Sequence, residues 1–143
     1  MATMQCSIVS AERNIFAGEV ERVVAVSVMG EMGILRGHEP ALLALKPGPI
    51  RVMHEGGEEE IFYVSGGFLE VQPSEVIVLA DSADRARDLD ASEAEKARDE
   101  ARKALAGRSA NDDVDYQQAL AEIEAATARL RTLSQLRGRS GRG

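Results

Sequence analysis

The sequence predicts an α+β protein: an N-terminal antiparallel β-sandwich, or flattened barrel, followed by a C-terminal antiparallel α-helical hairpin. Two observations carry this. Up to Asp81 the chain is a series of short Val- and Ile-rich runs that mostly alternate, separated by Gly, Pro, Asn or acidic clusters. Turn signals about 8–12 residues apart are the pattern of a sandwich or barrel. After Asp81 the hydrophobic period lengthens to that of a helix and alanine takes over. The expected units are residues 1–88 and 89–143.

The elements follow in order. "MQCSIVS" is a strand in which Cys6 alternates with Met4 and Ile8, a buried position and not that of a reactive thiol. "RNIF" reads as a separator. "VERVVAVSV" is a strand with Val20, Val24, Val26 and Val28 on one side. Gly30–Gly48, "GEMGILRGHEPALLALKPG", reads as a loop. Its glycines permit tight turns, and Pro40 and Pro47, with Pro49 just beyond, stiffen it. Its Leu42, Leu43 and Leu45 supply apolar surface, some to the core and some to a partner. A stiff loop binds a partner at little ordering cost.

"PIRVMH" and "EEIFYVSG" are strands joined by "HEGGEEE", whose hairpin tip falls at Gly56–Gly57. "FLEVQP" and "EVIVLAD" follow, with Phe68 and Glu70 on one face and Leu69 and Val71 on the other. "SADRARDLD" has no strand pattern and reads as a linker. Asp90–Ala106 is helical, with Ala94, Ala97, Ala101 and Ala104 on one stripe. Gly107 ends it. Asp112, Asp113 and Asp115 suit the N-terminus of a second helix over about Val114–Leu136. Leu120, Ile123, Thr127 and Leu130 form its stripe, with Ala119, Ala126 and Leu133 beside it. An alanine seam returns only about 0.8 kcal/mol per methyl, against about 1–2 kcal/mol to order each residue. The hairpin is therefore expected to be marginal unless it docks.

Composition narrows the function classes. The 143 residues carry a net charge of −7. Residues 1–88 hold 7 Lys/Arg against 14 Asp/Glu, and residues 89–143 hold 10 of each. From Arg129 to the end there are five arginines and no acid, so the tip suits an acidic target. No apolar run reaches the ~18 residues of a membrane span. The N-terminus lacks a signal-peptide pattern, so the chain is expected in the cytoplasm. A single cysteine rules out an internal disulfide.

The two histidines, His38 and His54, have no nucleophile motif around them, and no Walker loop, C-x-x-C or H-E-x-x-H is present. His54, at a strand end beside a turn, is expected in solvent. His38 is expected to hydrogen-bond or meet a partner. "VSGGFLEV" runs from strand to strand without a helix N-terminus for phosphate, so its glycines mark a turn or bulge. The Arg-Gly tail has no aromatic neighbour to stack on bases, which argues against nucleic-acid binding. Nothing here assembles an enzyme, a metal site or a cofactor site.

At this point the motifs are familiar. Gly30-Glu31-x-Gly33-Ile34…Gly37-His38, Lys46-Pro47-Gly48 and Ser65-Gly66-Gly67…Glu70-Val71, in this order and spacing, resemble the epsilon subunit of bacterial F-type ATP synthase. The match covers about residues 6–136, including "VSAERNIFAGEVERV" and "DVDYQQALAEIEAATARLR". The resemblance implies a non-catalytic subunit of the rotating central stalk, peripheral on the cytoplasmic face of the bacterial inner membrane. It implies that the sandwich binds the gamma subunit and the ring of c subunits, with Glu31, Gly33, Arg36, His38 and Leu42 at that interface. It implies a brake on ATP hydrolysis, in which the hairpin extends toward the alpha and beta subunits of the catalytic head. Arg129, Arg131 and Arg137 fit a contact with an acidic segment of the beta subunits.

Many relatives have Pro at Arg36 and Leu at Ala41. At Leu89-Asp90-Ala91-Ser92-Glu93-Ala94, ATP-binding relatives carry Arg where this chain has Glu93, and a carboxylate repels phosphate. Weak or absent ATP binding at Leu89, Asp90 and Glu93 is therefore expected. The alternative is an ATP-sensing module whose hairpin switches on the ligand.

Overall fold

The computed structural model describes residues 2–106 and 113–140, with side chains over 2–106 and 116–137. Alternation in the first part produces ten strands: β1 (Met4–Ser10), β2 (Asn14–Val20), β3 (Arg22–Ser27), β4 (Gly30–Leu35), β5 (Ala41–Leu45), β6 (Gly48–Met53), β7 (Glu59–Val64), β8 (Gly67–Gln72), β9 (Glu75–Ala80) and β10 (Ala83–Arg85). A single 3-10 turn, Ala86–Asp88, leads to α1 (Ala91–Ala106) and α2 (Asp113–Ser140).

The strands pair in the order β10-β7-β6-β3-β5-β8-β9-β1-β2, with β4 on the other edge of β3. The ladder narrows at one place. β3 and β5 meet only through Ser27 and Leu45, and there the sheet folds into two layers. All pairings are antiparallel except β1 with β9. These two lie far apart in the chain, so no hairpin constrains their direction. The inner faces meet in an apolar core containing Ile8, Val20, Val23, Ile34, Ile50, Val52, Phe62, Leu69, Val71 and Val78, all fully or almost fully buried. Cys6 lies in it too, and burial pushes its thiol up to about 12.

The free edges of β2 and β10 approach each other, and two arginines bridge them. Arg13 Nη2 donates to the Ala83 carbonyl at 3.2 Å and to Asp84 Oδ1 at 3.1 Å. Arg85 Nη2 donates to the Ile15 carbonyl at 3.1 Å. Each guanidinium thus satisfies a backbone carbonyl where no ladder joins the two strands.

Four expectations change. "RNIF" is not a separator but the start of β2, whose burial is weak because it lies at an edge. Gly30–Gly48 is not one loop: it holds β4 and β5, of which β4 fully buries only Ile34. "SADRARDLD" contains β10 and the 3-10 turn. Val20 does not share a side with Val24 and Val26. Alternation breaks at Glu21, whose N–H donates to the Met53 carbonyl at 2.7 Å, so Val20, Val23 and Ala25 all face the core.

Other expectations hold. Gly56 and Gly57 take φ of +97° and +93° at the β6–β7 hairpin tip. Leu69 and Val71 are buried while Phe68 is exposed. Leu45 is buried, Leu43 packs on the core and Leu42 is exposed. Gly107, Asp112 and the tail from Gly141, with the side chains of Asp113 and Asp115, lie outside the described residues.

Candidate functional site

Two surfaces stand out, one on each layer. The outer face of β5, β8, β9 and β1 carries a cross-strand row, Ala44–Phe68–Leu79–Val9, set by the register of three successive pairings. The next row is Leu42–Glu70–Ile77–Ser7. Leu42 is 67% exposed, Phe68 52% and Leu79 46%. The β3–β4 turn adds Val28 and Met29, both exposed, and the Val28 N–H donates to the Ala44 carbonyl at 3.0 Å. Scattered apolar residues are normal on a surface, but a contiguous patch marks an interface.

The other predicted interface residues separate from Leu42. Glu31 and Gly33 lie on β4, an edge strand paired only with β3. Glu31 is exposed and pairs with Arg51 Nη2 at 3.6 Å, and Arg51 Nη1 lies 3.7 Å from Glu59. Gly33 faces open space. Arg36 Nη1 donates to the Thr3 carbonyl at 3.4 Å. His38 Nδ1 is 2.8 Å from the Glu39 carbonyl oxygen. The five residues thus fall in two places: Leu42 on the apolar face, and Glu31, Gly33, Arg36 and His38 along β4 and the loop after it. Sequence alternation separates Phe68 from Leu69 but does not single out Phe68, Leu79 and Met29 as exposed apolar residues of one surface. Their signal is a large apolar side chain on the face opposite a buried one.

His54 is not simply solvated. It is half-buried, with Phe16 edge-on at 5.7 Å between ring centres and Glu60 Oε2 at 3.6 Å from Nε2. Glu60 also lies 3.9 Å from Arg85, which ties the group to the β2–β10 seam.

The second surface is the outer face of β6 and β7, which α2 covers. Asp90 caps α1, its Oδ1 accepting from the Ser92 and Glu93 N–H groups at 2.9 and 3.2 Å. Burial between the helices falls mainly on small residues: Ala94 and Ala101 of α1, and Ala119, Ala126 and Ala128 of α2, with Leu133 and Thr132. Thr132 Oγ1 donates to the Ala128 carbonyl at 2.8 Å, which satisfies a buried hydroxyl. The predicted stripe is therefore shifted. Ile123, Thr127 and Leu130 are only half-buried and Leu120 is exposed.

The structure does not bring the three arginines together. Arg131 and Arg137 are exposed, while Arg129 is half-buried with its guanidinium 5.7 Å from the Tyr63 ring centre. Burial raises the Tyr63 hydroxyl above its ordinary value, and the Arg129 charge opposes that rise. Leu89 is half-buried, and Asp90 and Glu93 are exposed. Glu93 and Glu100 line a shallow depression with Lys96, Ala97 and Arg129. Asp90 is engaged as a cap, and the depression sets two carboxylates, Glu93 and Glu100, beside two cations, Lys96 and Arg129. Among the described residues no cluster of side chains could hold a metal ion, and no helix is long and apolar enough to cross a membrane.

Comparison with known proteins covers both parts of the chain. Residues 3–86 match the family model of the ATP synthase delta/epsilon chain β-sandwich domain, and residues 87–134 that of its long α-helix domain. An ATP synthase epsilon chain of Chromohalobacter salexigens is 58% identical over 142 residues, covering 99% of each chain. One from Teredinibacter turnerae is 54% identical over 138 residues, covering 96% of this chain and 97% of its own. Among solved structures, a chain of the Euglena gracilis mitochondrial ATP synthase OSCP/F1/c-ring assembly superposes with a TM-score of 0.81 at 25% identity, over 90% of this chain and 79% of that one. A chain of the Tetrahymena thermophila mitochondrial ATP synthase central stalk and c-ring shares the fold alone, with a TM-score of 0.51 at 15% identity over 59% of this chain and 68% of that one.

Proposed function

The chain belongs to the ATP synthase delta/epsilon chain family, and from that premise we propose that it is a non-catalytic subunit of the central stalk of a bacterial F-type ATP synthase. It couples rotation of the c-ring to ATP synthesis and restrains ATP hydrolysis through its C-terminal helices. It has no active site of its own. It works at the cytoplasmic face of the bacterial inner membrane without inserting into it. The sandwich, residues 1–88, joins the stalk, and the hairpin, residues 89–143, regulates.

The observation that carries this reading is the bare apolar row on one layer while α2 occupies the outer face of the other. A chain that is only a folded domain has no need of an exposed Phe68 beside an exposed Leu79. We assign that face, with Leu42 and Met29, to the gamma subunit. Glu31, Gly33, Arg36 and His38, on and after β4, are assigned to the polar loops of the c-ring. Nucleotide has no part in this reading: Glu93 and the helix-capping Asp90 support weak or absent ATP binding.

The test is co-purification with gamma. Phe68→Glu with Leu79→Glu alters only exposed positions, so the variant should fold as judged by circular dichroism. It should lose gamma at least tenfold, because two charges desolvated at an interface cost several kcal/mol. Full retention of gamma by a folded variant would move the interface elsewhere.

A further inference from the structure

Tyr63 lies on the outer face of β7, opposite Pro49 of β6 and Asp84 of β10 in the strand register. It is 1% exposed. Arg129 of α2 rests its guanidinium over this ring, and the same side chain borders the depression that contains Glu93 and Glu100 of α1. Arg129 therefore stands where α1, α2 and the sheet meet. Around it the hairpin seam is alanine, which returns little per residue. A guanidinium over a desolvated ring is held more firmly than one in water. This contact adds to the packing of α2 on β6, β7 and the 3-10 turn, where most of the other fully buried side chains of α2 are small.

We propose that Arg129 is the latch that holds the helical hairpin on the sandwich, and that its seat on Tyr63 excludes its use against an acidic segment of a partner. The second half of this rests on the reading of the hairpin as a movable brake. The first half concerns the chain alone. Arg129 then acts in two opposed senses: seated on Tyr63 it keeps the hairpin down, and released it helps hold the hairpin out. Tyr63 acts in one sense only. Arg131 and Arg137, already exposed, bear only on the partner.

The chain has two tyrosines, so Tyr116→Phe leaves Tyr63 as the sole phenol, and its ionisation can be followed by ultraviolet absorbance. The charged groups bearing on it are Arg129, which lowers its value, and Asp84 and Glu124, which raise it along with burial. Arg129→Met in that background gives outcomes of opposite sign. If the hairpin stays docked, loss of the cation lets the Tyr63 midpoint rise further. If the hairpin leaves, the phenol reaches water and the midpoint falls toward the ordinary tyrosine value.

The proposal expects the fall, with the docked-to-free ratio lowered roughly 2- to 30-fold. A rise or an unchanged midpoint overturns it. Arg129→Lys, which keeps the charge but not the planar group, should fall less than Arg129→Met. The same order in both variants, with strand circular dichroism intact, separates unlatching from unfolding. In the reconstituted complex, Tyr63→Leu should deepen inhibition of hydrolysis at least twofold, because it frees the hairpin and leaves every arginine in place. Weaker or unchanged inhibition alongside the expected titration would overturn the exclusion and the brake reading while leaving the latch.

Discussion

Gly67 shows how far one residue can constrain this fold. It takes φ of +130°, and a Cβ there would collide with the carbonyl oxygen of Leu79 on the adjacent strand. Its side-by-side pairing with Ala80 and Leu45 brings three strands together at that point. Gly67→Ala must therefore both strain the backbone and push β9 away. It should cost more than about 2 kcal/mol, read as a drop in the denaturation midpoint. A change within ±0.5 kcal/mol would mean that β9 gives way freely. Cys6 makes a different demand. Its thiol, raised to about 12 by burial, is protonated at pH 8 with a thiolate fraction on the order of 10⁻⁴. Because the raised value belongs to the folded chain, reactivity toward a maleimide should stay negligible until pH approaches about 12 or the chain unfolds. Prompt labelling at pH 8 would show that β1 opens.

At the level of the elements, legibility followed the energetics. Strands with one strongly buried face, such as β1, β6, β8 and β9, were readable because Ile8, Val52, Leu69 and Val78 impose a period of two, and β7 was readable as a short apolar run, Ile61–Val64, buried on both faces. β2, β4 and β10 were not. They sit at edges, and of their residues only Val20, Ile34 and Ala83 are buried. β10 is held by arginines that reach backbone carbonyls, an interaction with no sequence period. The helical hairpin was legible, but the exposed row on β8 and β9 emerged only when register placed Phe68 beside Leu79. The hairpin's alanine seam predicts independence of the two parts. A chain ending at Asp88 should fold and keep its stalk contact. It loses the cover over Ile61 and Tyr63, so its stability should drop by about 1.5–3 kcal/mol for each large side chain uncovered. A random-coil spectrum for this fragment would show that α2 completes the core.

For the whole molecule, the distribution of charge decides which way the hairpin is drawn. The body is acidic and the end of α2 is basic, so a partner's acidic segment would draw the hairpin outward. Arg129→Ala, Arg131→Ala and Arg137→Ala together should raise ATP hydrolysis by the reconstituted complex severalfold at low salt and leave synthesis largely intact. The gap between wild type and variant should close as ionic strength rises, because the pairs are screened. Equal rates at low salt would leave the helices a passive appendage. Loss of assembly would mean that the arginines hold the subunit in place.

The strand β10 has one further consequence, mechanical in kind. It is three residues long, pairs with β7 on one side, and is clipped to β2 by Arg13 and Arg85 on the other. It is also the root from which both helices grow. A tug on a hairpin lifted from the sheet and carried round by a turning shaft enters the sandwich through the 3-10 turn and this short strand. Gripped from both sides, it is placed to act as a strain relief, like the collar on a cable, spreading such a load over its two neighbours.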